Sequence, residues 1–211
     1  MGEGLRGISS NPVSDLKVIR MRRRHLPGVL RIENRSYPRP WSLGIFLSEI
    51  SLGESRQYFV AVLGSKVIGY CGMMVILDEC HITNIAVDGS YGSKGVAKRL
   101  LLNAFEVAQG LSIKDMTLEV RASNQVAQRL YFKFGFEPVG IRKNYYAESN
   151  EDAVIMWCYD IASEENNRRR EKVRTELREF GRDATEEEAL EGSVDFDVEE
   201  PMEAQSGESD E

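Results

Sequence analysis

Short apolar-rich runs at Lys17–Met21, Tyr58–Leu63, Lys66–Ile76 and His81–Val87 predict β-strands, and Gly64-Ser65 supplies a two-residue hairpin signal between the second and third. His25–Tyr37 reads as a short helix with Pro27 tolerated in its first turn, and Ser42–Ile50 as another with Ser42 as its N-cap. The clearest unit comes next. Ala97, Leu101, Ala104, Phe105 and Ala108 fall on one helical stripe that Gly110 closes. Asp115–Arg121 then alternates, with Met116, Leu118 and Val120 on one face and Thr117, Glu119 and Arg121 on the other. A further helix begins at Asn124, turns Val126, Ala127, Leu130, Tyr131 and Phe134 inward, and stops at Gly135. Strands at Phe136–Ile141 and Ala153–Ile161 complete the pattern, which predicts a mixed α/β layer fold over residues 16–162.

Outside that stretch the periodicity fails. Residues 1–15 are polar and glycine-rich and read as a disordered lead-in. Residues 163–182 carry both signs of charge and predict a solvated helical extension, while 183–211 have the composition of an acidic disordered tail. This division reverses the meaning of the net charge of −7: of 27 basic and 34 acidic residues, 13 acidic and no basic ones fall in 183–211, leaving 27 against 21, or +6, for the body. A mildly basic body suits an anionic small ligand better than a nucleic-acid track, which calls for a clustered basic stripe.

Composition narrows the class further. A hydrophobic content of 42% over 211 residues is enough for one real core. Nothing approaches the ~20 apolar residues of a membrane span, the most apolar run, Tyr70–Leu77, being broken by Gly72, and Met1–Arg6 lacks the apolar stretch of a secretory signal. Cys71, Cys80 and Cys158 show no CxxC spacing, which indicates neither a disulfide framework nor a zinc site. His25 and His81 stand in no ligand spacing and read as structural. The expectation is a soluble cytoplasmic protein that needs no metal and contacts neither membrane nor nucleic acid directly.

Two places carry candidate chemistry. Tyr91-Gly-Ser-Lys-Gly-Val-Ala-Lys-Arg99 runs from a strand into the amphipathic helix. A helix N-terminus offers free N–H donors and the positive end of a dipole, and Gly92 and Gly95 let a phosphate approach while Lys94, Lys98 and Arg99 add charge. The loop matches neither GxxxxGK[ST] nor GxGxxG, and an ordinary glycine-rich turn accounts for it as well. Glu119 lies mid-strand between Leu118 and Val120, with Tyr131 on the next helix. A carboxylate there is either functional or the solvent-facing residue of an edge strand, and the phenol either functional or a core aromatic.

Asn84-Ile-Ala-Val-Asp88, followed by Tyr-x-x-x-Gly-x-Ala and Leu100-Leu-Leu102, resembles the acetyl-coenzyme A motif of the GCN5-related N-acetyltransferase (GNAT) superfamily. Leu118-Glu-Val-Arg-Ala-Ser-Asn124, Leu130-Tyr131, Gly135-Phe136, Ile141-Arg-Lys-Asn-Tyr-Tyr146 and Glu151-Asp-Ala-Val-Ile-Met156 resemble its RimI type, the ribosomal-protein alanine N-acetyltransferases. The resemblance implies a single domain with a mixed sheet of about seven strands, splayed in the middle and flanked by about four helices. It implies that acetyl-coenzyme A is the co-substrate, its pantetheine arm paired along Ile85, Ala86 and Val87. Its pyrophosphate would lie on Gly92, Ser93, Lys94, Gly95, Val96 and Ala97, with Asn124 also holding it. Glu119 would be the base and Tyr131 the acid. Trp41, Tyr145 and Tyr146 would line the acceptor site, in the segment Pro40-Trp-Ser42 and the loop Ile141–Asp152, although ordinary packing explains these aromatics equally.

The family usually has Gln or Arg where Gly92 stands and Pro where Gly89 stands, so weaker cofactor affinity is expected. Glu119, at an unperturbed pKa of ~4.3, is expected to be raised by partial burial to serve as a base. The implied acceptor is the N-terminal alanine of a small-subunit ribosomal protein; a lysine, a small amine, or a non-catalytic module that binds coenzyme A are the alternatives. The acidic tail either recruits a basic acceptor or merely solubilises the chain.

Overall fold

A computed structural model describes residues 15–191, with side chains for residues 15–180. Seven strands, β1 (Leu16–Arg20), β2 (Arg56–Leu63), β3 (Lys66–Ile76), β4 (Glu79–Val87), β5 (Asp115–Arg121), β6 (Glu137–Tyr146) and β7 (Glu151–Cys158), form one sheet in the order β1-β2-β3-β4-β5-β7-β6. All neighbours are antiparallel except β4 and β5. The helices are α1 (Leu26–Ser36), α2 (Leu43–Ser51), α3 (Val96–Gly110), α4 (Gln125–Lys133) and α5 (Glu164–Glu191).

Period-two side chains divide the core into two layers. In β2, Phe59 and Ala61 join the cluster under α3 and α4, while Tyr58, Val60 and Val62 join the one under α1 and α2. Leu100, Leu101, Ala104 and Phe105 of α3 fill the first layer; Val29 and Ile32 of α1 and Phe46 of α2 fill the second. Local signals behave as expected at several ends. Ser42 Oγ accepts from Ile45 N at 3.4 Å and caps α2, and Leu63 pairs with Lys66 across Gly64-Ser65.

Four expectations need correction. Val126 is not inward but 72% exposed, because α4 turns only Tyr131 fully into the core, with Phe134 buried just past its end. Residues 141–152 are less a loop than a hairpin: β6 runs on to Tyr146 and pairs with Glu151, and Asp152 Oδ1 accepts from Asn144 N at 2.9 Å where the ladder is irregular. The charged extension is not simply solvated, since α5 lays Asn166, Arg170, Val173 and Leu177 against the body at helical spacing. Arg170 sits 4.9 Å from the Phe105 ring centroid and donates to Ile161 O at 2.7 Å. The helix also runs past residue 182 to Glu191. The lead-in up to residue 14 and the tail from residue 192 lie outside the described residues.

The sheet parts at its centre. β4 and β5 pair from Glu79 with Asp115 to Ile82 with Leu118, and no further. Above that point Asn84–Val87 keep only β3 as partner and Glu119–Arg121 only β7. A bulge at the start of the parting (Gly72 pairs with Asn84, Met73 with Ile82) turns β4 aside. Gly72 is required there: a Cβ would stand 2.2 Å from Tyr58 Cε1 and 2.4 Å from Asn84 Oδ1.

Candidate active site

The parted strands leave one edge of β4 without a strand partner, and polar side chains converge around it. Tyr37, just after α1, donates its hydroxyl to Ile85 O at 2.9 Å, so this carbonyl of the expected cofactor-binding strand is already engaged. Asn84 Nδ2 is buried without a hydrogen-bond partner among the described residues. A buried amide left unpaired costs free energy unless a ligand supplies an acceptor.

The loop at the mouth of the slot is tightly built. Asp88 caps a single 3-10 turn, Gly89–Tyr91, accepting from Ser90 N at 3.1 Å and pairing with Arg31 at 3.4 Å. Ser93 and Gly95 both adopt left-handed φ, +59° and +74°, and α3 starts immediately after. Arg99 N is bonded to Gly95 O at 3.1 Å, leaving the earlier amides of the helix as donors. Arg99 Nη1 is buried without a partner among the described residues, and burial lowers its pKa from the usual guanidinium range. Free helical amides beside an unpaired guanidinium fit a phosphate. Not all of the expected positive charge faces the loop. Lys94 lies over the Tyr91 ring at 5.5 Å, and Lys98 is bound by Glu176 of α5 at 2.7 Å. Gly92 is not sterically required, for a Cβ there would meet only Gly89 O at 3.4 Å. Asn124, expected to hold the cofactor, uses its Oδ1 to cap α4 by accepting from Ala127 N at 3.0 Å, which leaves its Nδ2 as donor.

Glu119 occupies the β5 wall on the face opposite Leu118 and Val120. β5 is an interior strand, so the edge-strand explanation fails. His81 Nε2 lies 2.6 Å from one carboxylate oxygen, and Arg142 Nη1 3.2 Å from the other. The expectation of a raised pKa is overturned: the hydrogen bond from His81 outweighs burial, and with the Arg142 charge it holds the carboxyl below the ordinary range. His81 was missed by sequence reasoning because its partner is set by strand register. It pairs with Thr117, two residues from Glu119, and that diagonal brings the side chains together.

Tyr131 lies on the other face, 5% exposed, its ring 5.8 Å from Phe136. Burial, with the Tyr37 hydroxyl, Cys71 and the Tyr146 hydroxyl nearby, pushes its pKa upward. Tyr146 stacks beneath Arg121 at 3.9 Å, and its hydroxyl is raised to about 12 by burial, with Glu119 and Tyr145 adding to the shift against the Arg121 charge. Tyr145 beside it is exposed near Arg142. Trp41 stands apart from these, against Phe46 in the second layer, its backbone N–H donating to Glu33 Oε1 at 2.9 Å. Glu33 also accepts from Tyr70 and is raised by burial against that Trp41 bond. Among the described residues no group of three or more His, Cys, Asp or Glu side chains could hold a metal ion, and no helix is long and apolar enough to cross a membrane.

A family model described as the acetyltransferase (GNAT) family matches residues 26–136. A Bacillus subtilis (strain 168) protein, provisionally named a ribosomal protein bS18-alanine N-acetyltransferase, is 39% identical over 137 residues, covering 65% of this chain and 91% of that protein. The Escherichia coli (strain K12) ribosomal protein bS18-alanine N-acetyltransferase is 37% identical over 133 residues, 62% of this chain and 88% of that one. The crystal structure of the ribosomal-protein-S18-alanine N-acetyltransferase from Escherichia coli superposes with a TM-score of 0.64 at 33% identity, over 69% of this chain and 94% of the other.

Proposed function

The chain belongs to the acetyltransferase (GNAT) family, and we propose that it moves an acetyl group from acetyl-coenzyme A to the N-terminal α-amine of a protein, the N-terminal alanine of a ribosomal protein being the acceptor its relatives' names support. The observation that carries this reading is the parting of β4 from β5 beside an open helix N-terminus, with Glu119 on the slot wall.

The residues present fit the nucleotide. Amides of residues 93–98 and Arg99 would take the phosphates, and the free edge of β4 at Ala86 and Val87 the pantetheine amides, with Asn84 and Asn124 as further donors. Bound acetyl-coenzyme A supplies a thioester, an acyl carbon open to attack by an uncharged amine.

The chain's own task is to make the amine neutral and hold it in line. An α-amine has a pKa of ~7.7–8.0 and a lysine ~10.4, a gap worth roughly 3.4 kcal/mol at neutral pH. The α-amine therefore asks far less of a carboxylate whose pKa is depressed. Glu119 receives the ammonium proton, directly or through water. Tyr131 donates to the leaving sulfur. A thiol of pKa ~8.5 against a phenol of ~10 makes this uphill, and burial of Tyr131 steepens it, so donation accompanies C–S cleavage. Tyr145 and Tyr146 flank the acceptor, whereas Trp41, packed on Phe46, stands apart from that pair.

Mass spectrometry of peptides incubated with acetyl-coenzyme A tests the reading. An Ala-initiated peptide gains one acetyl group; the same peptide with a blocked terminus gains none. Modification of a lysine control alone would move the acceptor to side-chain amines, and binding of coenzyme A without transfer to any amine would make the chain a non-catalytic module.

A further inference from the structure

Tyr37 is the polar group at the slot that the reaction above leaves without a task. Pro38 ends α1: the residue ahead of a proline avoids helical backbone, and Tyr37 is extended, at φ −127° and ψ 137°. The turn carries its side chain across to β4, where the hydroxyl donates to Ile85 O at 2.9 Å. Asp88 N bonds to Ile68 O at 2.9 Å. Antiparallel alternation counted back from that bond points the Ile85 carbonyl away from β3, into the slot. Tyr37 belongs to the layer of α1 and α2, so it enters from the side opposite the α3 N-terminus and its phosphate loop.

A carbonyl only accepts, so the single phenolic proton of Tyr37 is committed to Ile85. Burial, and after it the Glu33 charge, raise the phenol's pKa against that bond, which keeps the proton in place. What remains at Oη is a lone pair, and no donor among the described residues reaches it. Its neighbours are the groups of the reaction. Behind burial, the Tyr37 hydroxyl is the next influence that raises Tyr131, and Tyr146 acts on both phenols. Tyr146 in turn feels the Glu119 charge, behind burial and the opposing Arg121. An oxygen that can only accept therefore stands where the thioester end of the slot meets the acceptor side.

We propose that Tyr37 Oη holds the acceptor amine, accepting one of its N–H groups and so aiming the nitrogen's lone pair at the acyl carbon. This deepens the acetyl-transfer reading above and rests on it. The arriving ammonium carries three N–H groups; Glu119 takes the proton of one, and Tyr37 keeps hold of another. The electron pair left by the first becomes the new C–N bond as the C–S bond breaks. A phenol with its proton free would donate to that pair and blunt the nucleophile. The bond to Ile85 O removes this option, so Tyr37 can orient the amine without quenching it.

Coupling between the Tyr37 hydroxyl and the substrate nitrogen is the quantity to measure. Calorimetry in the presence of coenzyme A compares an Ala-initiated peptide with its desamino analogue, a propionyl group replacing the alanine, on wild type and Tyr37→Phe. The wild type should prefer the amine. Tyr37→Phe should cut that preference about 10-fold, the scale of a hydrogen bond to a charged group. Affinity for coenzyme A should hold within about twofold, as for an independent site. A preference left unchanged overturns the proposal. If both peptides weaken alike, Tyr37 merely ties α1 to β4; if coenzyme A binding alone shifts, the hydroxyl serves the pantetheine arm. Should Tyr37→Phe not fold, a crystal structure of the wild type with coenzyme A and the Ala-initiated peptide decides. The terminal nitrogen should lie within hydrogen-bond distance of Tyr37 Oη, and a nitrogen placed elsewhere overturns the proposal. Failure of the wild type to acetylate any amine would overturn the acetyl-transfer reading alone, because the calorimetric comparison reads binding and needs no transfer. Failure of the Ala-initiated peptide to bind overturns the amine site itself.

Discussion

Leu177 of α5 closes directly over Gly95, the residue that admits α3: a Cβ on Gly95 would stand 2.4 Å from Leu177 Cδ2. The phosphate loop is therefore backed by a helix that lies outside residues 26–136, the part matched by the family model. Gly95 is held by two independent constraints, its left-handed φ of +74° and this contact.

Gly95→Ala should accordingly lower the melting temperature and weaken coenzyme A binding. The left-handed backbone alone costs ~1–2 kcal/mol. Adding Leu177→Ala relieves the clash but not the backbone strain, so a calorimetric double-mutant cycle should recover only part of the affinity. Full recovery would show that the backbone carries no strain.

Glu119→Gln and Tyr131→Phe should each reduce kcat by ~10²–10⁴ while leaving the dissociation constant for coenzyme A within a few-fold of wild type. Steady-state kinetics and calorimetry on the same preparations check this. Unchanged turnover in either variant removes that residue from its role.

Glu119 also makes a prediction for stability. Its folded pKa is depressed, so its pairs with His81 and Arg142 contribute fully above the ordinary carboxylate value of ~4.3, and the contribution is lost as pH falls through the lower folded value. Urea titrations should find wild type and Glu119→Gln converging as pH drops below ~4. A gap independent of pH would mean the pairs add nothing.

Glu176 holds Lys98 at 2.7 Å and Lys133 at 2.8 Å, which withdraws a lysine of the first turn of α3 from any bound phosphate. Partly exposed pairs of this kind are worth ~1 kcal/mol or less. Glu176→Gln should therefore tighten coenzyme A binding by up to about five-fold at low salt, with the gain fading at high salt. Tightening that is indifferent to salt would require another explanation.

How much of this was legible before the fold was known depends on what each element touches. β5 could be read because its side chains meet different environments on alternate faces, which stamps a period of two on the residues, and the β2–β3 hairpin because burial on both faces leaves an apolar run on each side of Gly64-Ser65. β6 could not be read to its end: it is an edge strand, exposed along nearly all of its length, and no burial selects its residues. The docked face of α5 was hidden for the opposite reason. Two of its four inward residues, Asn166 and Arg170, are polar and buried, so an apolar stripe never forms. The loop at Gly95 and the residues Glu119 and Tyr131 stood out by motif. The partnership of Glu119 with His81 did not, since it joins residues far apart in sequence through strand register alone.

The opening between β4 and β5 has a helical layer on each side, α3 with α4 on one and α1 with α2 on the other. On the proposed reaction, a nucleotide lodged from one side and a polypeptide presented from the other need not take turns. Both substrates are resident when the acyl group moves, and the protein never has to carry it alone. Double-reciprocal plots would then intersect rather than run parallel, and the sheet's missing seam would be what sets the kinetic order.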